Sequence, residues 1–128
     1  MTEPIWVPLA AVHAIHDRQI ARHGGASGMR DQALLEMGCA RAINLAAYTE
    51  AGLAEIASAY AFGISKAHAF VDGNKRTAFV TALTFLRLNG YSFQPPPVEG
   101  VKMMEDLASG QVSEAEFAKW LSDGMTPI

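Results

Sequence analysis

Ten consecutive residues, 68 to 77, concentrate groups that do chemistry: His68-Ala69-Phe70-Val71-Asp72-Gly73-Asn74-Lys75-Arg76-Thr77. His68 is a candidate base, because a neutral imidazole can take the proton of a hydroxyl as its oxygen attacks phosphorus. Asp72 is a hard oxygen ligand for a divalent cation such as magnesium. Gly73-Asn74 is a turn signal, and the apolar run after it starts a helix whose first N–H groups have no partner within the helix. Such a helix start binds anions, phosphate above all. Lys75 and Arg76 lie at the end where the helix dipole disfavours cations, which again points to a bound anion. Plainer roles stand beside these. His68 could cap helix carbonyls, Asp72 could cap the following helix, Asn74 could bind the motif's own backbone, and the cations could be merely solvated.

Two helices must hold this loop. Leu53, Ile56, Ala57, Tyr60 and Ile64 recur at helical spacing and predict a helix over residues 50–67, with His68 at its C-terminal end. Residues 77–89 are apolar round most of a helical circumference, with a thin polar stripe of Thr77, Thr81, Thr84 and Arg87; that predicts the central helix of the domain, stopped at Asn89-Gly90. Phe70 is expected to anchor the loop in the core.

Upstream, residues 1–7 read as an extended lead-in with Trp6 docked on the body. Pro8 suits a helix start, and Leu9, Val12, Ile15 and Ile20 continue an amphipathic helix to Arg22. His13 and His16 lie on it at a metal-compatible spacing, but without a third readable ligand they read as solvent-facing or satisfied core histidines. Gly24, Gly25 and Gly28 make a glycine-rich linker; no strand before it or Lys-Ser/Thr after it supports a nucleotide loop. A short helix over residues 31–42 follows, and residues 44–49 show no clean period. Downstream, Pro95 to Pro97 forbid helix, residues 98–109 form one, and Ser113 with Glu116 is a capping box that starts the last.

Half the residues are hydrophobic and 18% charged, which is globular, and with strand signals nearly absent the chain reads as one all-α domain of about six helices spanning residues 1–128. The net charge of −3 and the lack of a basic block argue against direct nucleic-acid binding, including by a helix-turn-helix. The single cysteine, Cys39, reads as a small core residue in a reducing compartment. There is no signal-like start and no run long enough to span a bilayer, so the expected location is the cytoplasm, with no membrane partner.

The run His68-x-Phe70-x-Asp72-Gly73-Asn74-Lys75-Arg76 resembles the signature of the Fic/Doc superfamily, and within it the Doc (death-on-curing) toxin branch. His23-Gly24-Gly25-Ala26-Ser27-Gly28-Met29-Arg30-Asp31 resembles that family's substrate-side flap, which implies a small β-hairpin there. The resemblance implies a compact helical core, ATP and Mg2+ as cofactors, and His68, Lys75 and Arg76 as catalytic groups. It implies nucleotide binding by Gly73, Asn74, Lys75 and Arg76, a metal on Asp72, and a target peptide laid on Gly24, Gly25 and Gly28. The usual AMP-transferring Fic motif has glycine where this chain has Lys75, and a second arginine where it has Phe79. In the Doc branch those changes go with ATP presenting its γ-phosphate, to a threonine of elongation factor Tu. No Ser/Thr-x-x-x-Glu-Gly/Asn inhibitory motif occurs, so restraint is expected from a separate Phd-type antitoxin. Three readings stay open at this point: a Doc-type kinase toxin, an AMP- or other nucleotide-transferring Fic enzyme, and a non-catalytic module that kept the fold.

Overall fold

In a computed structural model of the chain, which describes residues 3–128, six helices form one hydrophobic core. They are α1 (Leu9–His23), α2 (Gln32–Tyr48), α3 (Leu53–Ala67), α4 (Asn74–Leu88), α5 (Pro97–Ser109) and α6 (Glu114–Gly124). A two-residue strand β1 (Tyr91–Ser92) pairs antiparallel with β2 (Thr126–Pro127) and ties the C-terminus beside the end of α4. The all-α expectation therefore holds. The lead-in docks as expected through Trp6, which stacks on Phe85 at 5.7 Å, while the Val7 amide donates to the Tyr60 hydroxyl. Residues 1 and 2 of that lead-in lie outside the described residues.

The helix at the centre is α3 rather than α4. Ile56 through Ala61 and Gly63 through Ser65 are all buried, and α3 packs against α2, α4, α5 and α6. On α4 the threonine stripe turns inward. Thr77 and Thr81 are fully buried beside Ala78 and Ala82, while Phe79 and Leu83 are only partly covered. The first half of the buried face is thus built of small side chains, and Phe85 and Leu86, also fully buried, continue it.

Helix α2 runs six residues beyond the expected end at Ala42 and absorbs most of the ambiguous stretch, because Leu45 and Ala46 pack on the core. Asp31 caps its start, accepting from the amides of Ala33 and Leu34. The capping box of α6 forms in both directions between Ser113 and Glu116. Cys39 is buried in the α2 face, and burial pushes its thiol up to about 11, so it stays a protonated core residue at neutral pH.

Helices α2 and α3 cross backbone to backbone at Gly38 and Gly63. A Cβ on Gly38 would sit 2.7 Å from the Gly63 carbonyl oxygen, and a Cβ on Gly63 would overlap the Gly38 carbonyl. Alanine adds up to about 1 kcal/mol of helix propensity, but overpacking costs about 1–3 kcal/mol where side chains can move. Here the obstacle is main chain, so the clash wins. Gly63→Ala is expected to lower the denaturant midpoint clearly; an unchanged midpoint would show that the helices sit further apart.

Candidate active site

Helix α3 ends at His68, whose backbone is left-handed (φ 49°, ψ 42°), the one non-glycine residue with positive φ among those described. That conformation costs an L-residue roughly 1–2 kcal/mol, and such strain persists where surrounding contacts over-determine it. Those contacts are visible. Arg30 Nη1 donates to the His68 carbonyl at 2.9 Å, and the amides of Arg30 and Asp31 both donate to the Ala69 carbonyl. The loop then plunges: Ala69 and Phe70 are buried, while Val71 and Asp72 return to the surface. Asn74 staples it shut, its Oδ1 accepting from the Phe70 amide at 3.1 Å and its Nδ2 donating to the Phe70 carbonyl at 2.9 Å.

No hairpin forms at the flap. Residues 24–28 instead lie along the loop itself, through a single antiparallel bridge between Met29 and Phe70 and a bond from the Val71 amide to the Gly28 carbonyl. Two bonds latch the flap to the polar groups. The Ala26 amide donates to Asp72 Oδ2 at 3.2 Å, and Arg76 Nη2 donates to the Gly24 carbonyl at 3.1 Å. Gly25 lies so close that a Cβ there would come within 2.6 Å of Asp72 Oδ2, and its φ of +115° favours glycine independently.

Asp72 does not cap α4. The cap position is Gly73, in a left-handed conformation, and no side chain caps the helix, so the first amides of α4 stay available to a ligand. Asp72 Oδ1 takes the Gly73 amide at 2.8 Å instead. The Gly73 and then the Ala26 N–H hold the Asp72 carboxyl below the usual carboxylate range, with Arg76 adding to the effect. Since the folded value is the depressed one, these bonds are at full strength above the ordinary carboxylate range and are lost as the pH falls through the folded value.

All the expected motif groups meet at one cavity of about 510 Å³. His68, Asp72, Gly73, Asn74, Lys75 and Arg76 line one side; Ser65 and Lys66 of α3 and Glu105, Ala108 and Ser109 of α5 complete it. Asn74 contributes its place at the helix start, since its amide side chain is spent on Phe70. Phe79 lies outside this cavity, stacked with Trp120 at 6.1 Å and close against Gly100. The cavity suits a phosphate-bearing ligand: a helix N-terminus and the cations Lys75 and Arg76 line one side with Lys66 beyond them, against the carboxylates of Asp72 and Glu105. Among the described residues no three His, Cys, Asp or Glu side chains come together as a metal cage. Asp72 alone, with phosphate oxygens and water, is the donor set magnesium commonly takes.

His13 and His16 form no metal pair. His13 bonds Gln32 Oε1, and His16 is buried beneath the loop with Nε2 on the Asp72 carbonyl. The motif does not mark His16, the Arg30 side chain, Lys66 or Glu105. Lys66, two residues before His68, is near enough in sequence to have been found; Glu105 arrives from a distant helix and leaves no local signal.

The profile of the Fic/DOC family matches residues 6–86. Over 109 residues the chain is 37% identical to "Protein kinase doc" of Escherichia phage P1, a match covering 84% of this chain and 86% of the phage protein. It is 41% identical over 71 residues to "Toxin Doc" of Mycolicibacterium smegmatis (strain ATCC 700084 / mc(2)155), covering about half of each, 52% and 53%.

Proposed function

The chain belongs to the Fic/DOC family, on its Doc branch, and from that premise we propose that it is the toxin of a type II toxin–antitoxin pair, transferring the γ-phosphoryl group of ATP to a protein hydroxyl. The target that fits the family resemblance is a threonine of elongation factor Tu, whose modification arrests protein synthesis. The observation that carries the reading is the single cavity wall on which His68, Asp72, the α4 N-terminus, Lys75 and Arg76 meet. It is supported by the phage relative, which is named a protein kinase.

In this reading His68 accepts the proton of the target hydroxyl. Lys75, Arg76 and the α4 amides hold the oxygens over which charge spreads, usually the dominant contribution in phosphoryl transfer. Asp72 holds magnesium, which when bound neutralises phosphate charge. The flap around Gly24, Gly25 and Gly28, bonded to Asp72 and Arg76 but outside the cavity lining, is where the target peptide would lie.

Asp72→Asn keeps the shape and removes the charge. Transfer and magnesium affinity should fall together by at least the roughly 10–100-fold seen when an outer partner of a metal site is lost. Undiminished activity in a chelator would remove the metal from the mechanism.

A toxin without internal restraint needs a separate antitoxin, and the family's pattern is a Phd-type protein whose disordered tail folds as a helix on the toxin. An amphipathic helix needs an apolar groove. Helices α2 and α3 provide a hollow of about 540 Å³, lined by Ile43, Ala46, Ala47, Leu53 and Ile56 together with Trp6. Expression of the chain alone should therefore stop growth, and co-expression of the neighbouring antitoxin should restore it. Abundant soluble protein without toxicity would sink this reading.

A further inference from the structure

We propose that His16 is a positioning residue that sets the plane of the Asp72–Gly73 peptide and so aims the Asp72 carboxylate and the α4 N-terminus into the cavity. Its importance for transfer rests on the function proposed above; the clamp itself does not. His16 is 2% exposed and its ring lies flat on Phe70, with centroids 3.8 Å apart and planes 9° from parallel. Its Nε2 is 2.8 Å from the Asp72 carbonyl oxygen. A carbonyl only accepts, so the proton is on Nε2 and the other nitrogen faces the exposed Asp17 carboxylate at 3.9 Å.

The peptide that follows Asp72 is thereby held at both ends. Its carbonyl takes the His16 proton, and its N–H, on Gly73, goes to Asp72 Oδ1 at 2.8 Å. Rotation of that peptide would turn the carboxylate away from the cavity and swing Gly73, the cap residue of α4, out of register. Pure packing would favour an apolar ring at this depth, since a buried polar group is costly unless bonded. Histidine supplies both the flat face for Phe70 and a donor at the right reach.

The test uses the full-length protein. In the wild type, 15N NMR of the imidazole should show the Nε2–H tautomer; an Nδ1–H tautomer would overturn the proposal whatever the activity. His16→Phe keeps the stack and removes the donor, while His16→Gln restores a donor without the ring. In His16→Phe the Gly73 amide should exchange with solvent at least about tenfold faster, and phosphoryl transfer should fall roughly 100-fold, the scale of a 1 Å misplacement. His16→Gln should recover much of both. Retained protection at Gly73 in folded His16→Phe would overturn the clamp. So would equal losses in both variants that simply follow their melting temperatures. If the wild type transfers no phosphate, the function proposed above fails, yet tautomer and exchange still decide the clamp.

Discussion

His68→Ala should lose transfer by about 10²–10⁴-fold, the usual contribution of a positioned base, with the fold intact. The fold should survive because His68 is exposed and because Arg30 holds its backbone carbonyl, not its ring. The left-handed backbone at this position allows a sharper form of the test. Glycine adopts that conformation without the steric cost of a Cβ, so His68→Gly should be as inactive as His68→Ala but at least as stable as the wild type. Activity and stability would then move in opposite directions, which no account based on structural damage predicts. Growth arrest by either variant when expressed alone would show that His68 is not the base.

Much of this site was legible because its groups are close in the chain. Residues 68 to 76 carry base, carboxylate and cations at fixed spacing, and one turn between two helices suffices to bring them to one wall. What was not legible depends on contacts across long separations. The bond from His16 to the Asp72 carbonyl spans 56 residues, and that from Ala26 to the Asp72 carboxylate spans 46. Hydrophobic periodicity shows neither. It also misjudged α4, where counting apolar positions suggested the central helix; the small residues Thr77, Ala78, Thr81 and Ala82 face inward and α3 takes the centre. The expected hairpin failed for a related reason. The flap's backbone finds its partners in the loop at Ala69 and Val71, so it has no need to pair with itself.

Label from γ-phosphate-labelled ATP should appear on the target protein, label from the α-phosphate should not, and ADP should be the product. The reason is the distribution of charge and room in the cavity. Catalysis of phosphoryl transfer is mostly positioning and charge stabilisation, so cations must gather round the group that moves. Here Lys75, Arg76 and the uncapped start of α4 form one compact cluster on the wall shared with His68. An α-phosphate facing His68 would need the β- and γ-phosphates housed beyond it, with space where Lys75 stands and a further cation one turn on. Position 79 holds phenylalanine, whose ring is committed to Trp120 and Gly100 outside the cavity and offers no charge. Replacing that ring with arginine would strip the packing of α5 and α6, so the single change Lys75→Gly is the cleaner probe. It should cost kinase activity heavily while leaving the melting temperature near that of the wild type, because Lys75 is exposed. Transfer of α-label by the unmodified protein, with release of pyrophosphate, would overturn the kinase reading and make the chain a nucleotide transferase.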